Sequence, residues 1–246
     1  MDNLVADKIK KLSTGQRIYV FQECSSTMEV GWHLLGKGEL KELDSVLALR
    51  QFAGRGQWRR KWVSPPGNLY VSILFSALRK WEQLSSLFLG FLVQQSLANM
   101  GFFLSLKWPN DLIYKEKKVG GILLEERKDK LLAGIGLNLK QAPQLEERIF
   151  PAGSLELPEV DVLEFWLKLK QHLLNLASTY FFEDSQVLID RINQVLAFQG
   201  RKVVIEDGET RAEGILTGLG PKGELLVLEK GRIKTFFNGS VVAFKS

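Results

Sequence analysis

Lys107-Trp108-Pro109-Asn110-Asp111-Leu112-Ile113-Tyr114-Lys115-Glu116-Lys117-Lys118-Val119-Gly120-Gly121-Ile122-Leu123-Leu124-Glu125-Glu126 alternates short β-forming runs with turn chemistry. Pro109 disfavours the helical region for Trp108, and Asn110-Asp111 favours a turn. Strands are therefore predicted at Phe103–Trp108 and Asp111–Tyr114, with a hairpin tip at Glu116-Lys117. Further strands follow at Val119–Glu126 and Leu131–Leu139. On the strand beyond the tip, Lys118, Gly120 and Ile122 share one face, since strand side chains alternate.

Helices flank this stretch. Leu84, Leu87, Phe88, Phe91 and Leu92 recur at helical spacing, which predicts an amphipathic helix over Trp81–Met100. Trp166, Leu169, Leu173, Leu176 and Tyr180 form the same kind of stripe over Val162–Tyr180, and another helix is expected at Ser185–Leu196. Towards the N-terminus, Ile18, Val20 and Phe21 mark a strand at Arg17–Gln22. Ser25-Ser26-Thr27 reads as an N-cap cluster opening a helix from Met28 to Leu35, with a stop at Gly36. Ser45–Gln51 is a strand, Phe52–Gly67 a loop dense in Gly, Arg and Pro, and Asn68–Phe75 a strand again. The character changes at Gly200, after which β runs alternate with Asp207-Gly208, Pro221-Lys222-Gly223, Lys230-Gly231 and Asn238-Gly239. Strands so closely spaced predict a small barrel. The expected fold is a mixed α/β (α+β) domain over 1–197 and a β-barrel over 198–246.

Composition excludes several classes. The 246 residues are 45% hydrophobic and 25% charged, an ordinary globular balance with ample core. The single cysteine, Cys24, allows no internal disulfide and suits a reducing compartment. The start lacks the basic-then-apolar layout of a secretory signal. The apolar run Leu87–Val93 falls far short of the roughly 20 residues a membrane span needs. A soluble, cytoplasmic protein is expected. Its net charge of +5 favours anionic partners without choosing among them.

Three polar clusters fall in loops or at strand ends, where binding residues concentrate. Ser25-Ser26-Thr27 is explained in isolation by capping, although a helix start also offers N–H groups to a polar ligand. Gln51-Phe-Ala-Gly-Arg-Gly-Gln-Trp-Arg-Arg-Lys-Trp62 crowds Arg55, Arg59, Arg60 and Lys61 together. A solvated basic loop would explain the charges but not Trp58 and Trp62, whose flat faces suit a purine or an apolar ring. The third cluster is Lys107–Asp111 with Lys118-Val119-Gly120-Gly121. A lysine followed on its own face by glycine has open space for a carboxylate or phosphate, although an exposed strand lysine reads the same way.

Other signals fail. Gly218–Gly223 matches a dinucleotide fingerprint, but Pro221 and the surrounding turns leave no helix to follow it. His33 and His172 fall in separate predicted helices, so no paired zinc ligands arise. Cys24 has no activating partner in sequence and reads as a small core residue.

The three clusters, in this order, resemble the signature of biotin protein ligases. Ser26-Thr27 matches its helix start, and Gln51 to Pro65 matches its Gly-Arg-Gly loop with Lys-Trp and Ser-Pro. Lys107–Asp111 matches Lys-Trp-Pro-Asn-Asp, and Lys118–Leu123 matches Lys-Val-Gly-Gly-Ile-Leu. Gly134-Ile135-Gly136-Leu137-Asn138 looks like the family's later glycine-rich strand. The resemblance implies a catalytic domain like that of class II aminoacyl-tRNA synthetases, with an SH3-like C-terminal domain. It implies a biotin site at Ser26, Thr27, Met28, Gln51, Arg55 and Gly56, together with Gln57, Lys118, Gly121 and Gly134. It implies an ATP site at Arg60, Trp62, Asn110, Asp111, Lys118 and Asn138. Lys118 and Arg55 would be catalytic, and Asp111 would order the phosphate end or its Mg²⁺.

The implied activity is formation of biotinyl-5′-AMP from biotin and ATP, then transfer of biotin to a lysine of the biotin carboxyl carrier protein of acetyl-CoA carboxylase. Two positions depart from the pattern. Met28 stands where Asn is common, and Gln57 stands where a basic residue often helps retain the adenylate. Only 25 residues precede Ser26, so a ligase without a helix-turn-helix domain and without operator binding is expected. A homodimer through a sheet edge is possible. A lipoate ligase is the nearer competing reading. A basic nucleic-acid-binding module is a further one, drawn from the Arg/Lys/Trp loop and a pI of about 9.2.

Overall fold

The structure, a computed structural model, describes residues 6–143, 151–208 and 210–245. These form two compact units. One holds 6–80, 120–143 and 154–166; the other holds 81–119, 151–153, 167–208 and 210–245.

The first unit begins with β1 (Lys8–Lys11) and β2 (Arg17–Cys24), followed by α1 (Thr27–Gly36) and β3 (Ser45–Gln51). Then come β4 (Leu69–Ser76), β7 from Gly120 onward (full strand Lys117–Arg127) and β8 (Lys130–Leu137). The sheet order is β1-β2-β3-β4-β8-β7, with only β2–β3 parallel. Parallel neighbours need a crossover, and α1 supplies it while packing against β3, β4 and β8. Met28, Val30, Trp32 and Leu34 of α1 join Phe21, Val46, Ala48, Leu74 and Leu132 in one core. The approach is close enough that a Cβ on Gly31 would stand 2.8 Å from Leu132 Cδ2. At the sheet's other end, buried Asp44 accepts from the Arg17 backbone N–H (2.6 Å), the Arg17 guanidinium and the Lys41 N–H.

The second unit contains α2 (Ser85–Asn99), the β5 (Ser105–Lys107) and β6 (Asp111–Tyr114) hairpin, and α4 (Ser185–Val195). The helix α3 (Val162–Tyr180) starts in the first unit and continues in the second. Its Trp166, Leu169 and Leu173 are buried, while Leu176 and Tyr180 are half-buried, so the expected stripe fades along the helix. Asp184 caps α4 by accepting from Gln186 N–H at 2.7 Å.

The expected amphipathic helix at Trp81–Met100 needs correction. Its first turn is a 3₁₀ segment, and α2 buries Leu87 through Gln94 without a break. A helix covered on all sides carries no polar face for periodicity to reveal.

Beyond Gly200, β9 (Lys202–Asp207), β10 (Thr210–Leu219), β11 (Leu225–Glu229), β12 (Arg232–Phe236) and β13 (Ser240–Lys245) make an antiparallel sheet of order β12-β11-β10-β9-β13. Each of the four turns expected from sequence joins two successive strands. Among the described residues, no helix is long and apolar enough to cross a membrane.

Candidate functional site

In the first unit, Ser26 occupies the N-cap of α1 in extended geometry, yet its side chain makes no capping hydrogen bond. The capping role expected of the Ser-Ser-Thr cluster falls partly to a distant residue. Gln51, at the end of β3, accepts from the Thr27 N–H through Oε1 at 2.8 Å. Its Nε2 donates to Ser64 Oγ at 2.9 Å, so one side chain ties the helix start to the far base of the Gly-Arg-Gly loop. Ser72 on β4 donates to Thr27 Oγ1 at 2.8 Å. Ser26 and Thr27 are both buried. Ser25 sits outside this group and donates to Glu29 at 2.6 Å.

The loop closes on itself like a hairpin. Trp62 N–H donates to Gly54 O (2.9 Å), Gly56 N–H to Arg60 O (2.8 Å) and Arg60 N–H to Gln57 O (3.1 Å). Gly54 is sterically required, because a Cβ there would meet Trp62 O at 2.4 Å, whereas Gly56 has 3.4 Å to its nearest neighbour. At the tip, Trp58 adopts a left-handed conformation (φ 57°) and is 70% exposed. Arg55 turns inward and pairs with Glu125 on β7 at 3.1 Å. Arg55, Gly56, Trp58, Leu123 and Glu125 line a pocket of about 510 Å³.

Beside this loop the sheet carries glycines on β7 and β8, two of which larger side chains cover. Gly121 on β7 lies directly across from Gly136 on β8. The Trp62 ring covers Gly136 so closely that a Cβ there would be 2.7 Å from two ring carbons. Gly134, two residues earlier on β8, faces Met28, whose Sδ would stand 2.9 Å from an added Cβ. Met28 therefore packs on the sheet where a shorter polar residue would leave a gap. Asn138 is buried just past β8, its carbonyl accepting from Leu155 N–H.

In the second unit, the tight β5–β6 hairpin pairs Lys107 with Asp111. The turn contains a cis Trp108–Pro109 bond and buries Asn110. Asp111 Oδ2 receives Lys107 Nζ at 2.7 Å, and Oδ1 receives Lys118 Nζ at 2.5 Å. Burial alone would raise the Asp111 pKa, but the charges of Lys107 and Lys118 overcome it and hold the group at about 2. Two ammonium groups thus share one carboxylate. Lys107 is almost wholly buried, whereas the Lys118 side chain is 21% accessible. The backbone of Lys118 is pinned on both sides, its N–H donating to Pro151 O and its carbonyl accepting from Gly153 N–H, both at 2.8 Å. Lys107 Nζ also lies 3.5 Å from Ser240 Oγ, and Trp108 Nε1 donates to Gly223 O at 3.0 Å.

Asp111, expected to order the phosphate end or its Mg²⁺, is engaged here by two ammonium groups, one on each oxygen. Among the described residues, no group of three or more His, Cys, Asp and Glu could hold a metal. Cys24 is buried, and burial, then Glu29 and Glu23, push its thiol up to about 12, so it stays protonated and unreactive.

Glu125, Ser64, Ser72 and Gly136 were absent from the expected site residues. Ser64 and Gly136 lie inside motifs the sequence displays, whereas Glu125 and Ser72 act through partners far away in sequence, so no local pattern marks them.

The family model for the biotin/lipoate A/B protein ligases matches residues 20–141. The chain is 31% identical to the bifunctional ligase/repressor BirA of Escherichia coli over 218 residues, covering 83% of this chain and 67% of that protein. It is 36% identical over 110 residues to the biotin–[acetyl-CoA-carboxylase] ligase of Paracoccus denitrificans, covering 40% of this chain and 45% of that one. A biotin protein ligase from Aquifex aeolicus, solved in complex with biotin and ATP, superposes with a TM-score of 0.78 at 32% identity. That match covers 93% of this chain and 97% of the other.

Proposed function

This chain belongs to the biotin/lipoate A/B protein ligase family, among its biotin protein ligases, and on that premise we propose the reaction it performs. Biotin and ATP form biotinyl-5′-AMP, and biotin then passes to a lysine of the biotin carboxyl carrier domain of an acetyl-CoA carboxylase, in the cytoplasm. The carrying observation is the Lys107–Asp111–Lys118 network, which holds the partly accessible Lys118 ammonium at a fixed place on a pinned strand.

In the first step a biotin carboxylate oxygen bonds to the α-phosphorus as the bond to pyrophosphate breaks. Two anions must be brought together, so positioning and charge screening matter more than acid–base chemistry. The proposal gives this screening to Lys118 and Arg55. It gives the biotin ring to Ser26, Thr27, Gln51, Gly56 and the Met28–Gly134 floor, and the nucleotide to Arg60, Trp62, Asn110 and Asn138. Asp111 orients Lys118, and Mg²⁺ would be carried on the phosphates of ATP, whose charge it would screen. In the second step a neutral lysine amine attacks the anhydride carbonyl, AMP leaves, and the amine sheds its proton. Water would destroy that anhydride, which gives the closed hairpin of the loop its purpose. The division of the chain at 197/198 is part of the same proposal.

Biotin-dependent exchange of pyrophosphate into ATP, followed by a mass increase on an added carrier domain, tests the reading. Exchange that answers to lipoate and not to biotin overturns it. A further expectation concerns Gln57, which presents an amide where a cation would hold the adenylate. Release of labelled adenylate should compete with transfer, and Gln57→Arg should slow it by about tenfold, the worth of one charged hydrogen bond. Stopped-flow release that is already far slower than transfer in the natural chain would remove that expectation.

A further inference from the structure

Glu125 meets three partners with its two oxygens. Its Oε2 accepts from Trp32 Nε1 at 2.7 Å, and Arg127 Nη2 stands 3.8 Å from the same oxygen. The Arg127 guanidinium also lies over the Trp32 ring, 4.4 Å from its centroid. Trp32 is itself 92% buried in α1, exposing only 8% of its surface, so the indole N–H is a fixed donor. With Oε2 held there, Oε1 is turned towards the loop, where Arg55 Nη2 meets it at 3.1 Å. One carboxylate thus links α1, β7 and the Gly-Arg-Gly loop, and it does so in the wall of the pocket that Leu123, Gly56 and Trp58 also line.

We propose that Glu125 is a positioning residue: held by Trp32, it fixes the Arg55 guanidinium and through it sets the Gly54–Trp62 loop as one wall of the pocket. The loop's hairpin bonds join its two arms to each other, and Trp62 seats one arm on β8, so the tilt of the Arg55 arm over β7 is left to the Arg55–Glu125 pair. An ion pair between half-exposed groups sets that tilt moderately, and salt screens it. The consequence for catalysis rests on the proposed reaction; the consequence for the loop does not.

Glu125→Gln tests both. A glutamine that gives its carbonyl to Trp32 must turn an NH₂ towards the guanidinium, replacing attraction with opposed donors. The loop carries trypsin sites at Arg55, Arg59, Arg60 and Lys61. With the full chain and no small molecule added, cleavage there should quicken about fivefold, while the thermal midpoint stays put. The KM for biotin in pyrophosphate exchange should rise by about the same factor, with kcat changing less than twofold. Glu125→Asp should restore part of the loss, and raising salt should bring the natural chain towards the variant. Trp32→Phe, which keeps the ring but removes the N–H, should shift cleavage in the same direction. Equal cleavage of the natural chain and Glu125→Gln overturns the proposal, and so does faster cleavage with an unchanged biotin KM. Absence of exchange in the natural chain overturns the proposed reaction instead, and the cleavage comparison still decides the role of Glu125.

Discussion

Lys118→Ala is expected to lower the rate of biotinyl-adenylate formation by about 10²-fold or more, the cost of deleting one preorganised charge donor. Preorganisation is the reason for so large an effect. The Lys118 backbone is bonded on both sides, to Pro151 and Gly153, and its ammonium is held by a carboxylate whose other oxygen is occupied by Lys107. Little reorganisation is then needed as charge spreads towards pyrophosphate in the transition state. An exposed lysine on a loose strand would screen far less. Single-turnover formation of the adenylate at saturating biotin and ATP is the measurement, since it separates chemistry from binding. Near-normal formation would reduce Lys118 to a counter-ion for Asp111. Lys118→Arg should rescue little, because a planar fork cannot replace a compact ammonium 2.5 Å from Oδ1.

Much of the framework could be read locally. The strand at Ser45–Gln51 and the helix at Val162–Tyr180 have the expected bounds, and all four turns beyond Gly200 join strands. Turn chemistry and half-buried stripes act over a few residues, so the sequence displays them directly. α2 lies within its expected range, but its 3₁₀ start and its burial on every side are not legible, because no polar face sets one stripe apart. The site divides in the same way. Arg55, Lys118 and Asp111 stand out as charges among glycines, but their partners do not. That Arg55 meets Glu125 rather than Glu126 depends on which face of β7 looks towards the loop. That Gln51 serves the start of α1 depends on β2 and β3 lying parallel, so that both ends reach the same place. Long-range register of this kind leaves no trace in neighbouring residues.

Asp111→Asn should cost stability as well as activity, and its pH dependence identifies the cause. The buried carboxylate is the counter-charge of Lys107, which the hairpin keeps almost wholly out of water. An asparagine has nearly the same shape but turns an NH₂ towards one ammonium and removes the carboxylate charge from both. Breaking a buried pair in this way costs about 3 kcal/mol at neutral pH. The folded carboxyl sits at about 2, below its ordinary value near 3.8, so its stabilisation is present above pH 4. It is lost as pH falls through the folded value, by about 2 kcal/mol in all. At pH 2 the natural side chain is itself becoming neutral and resembles the asparagine. Urea midpoints of the two proteins should therefore lie far apart at pH 7 and draw together between pH 4 and pH 2. A gap that stays constant across that range would mean that shape, and not charge, ties Asp111 to its two lysines. The ammonium of Lys118 would then lack the fixed counter-charge on which its part in adenylation depends.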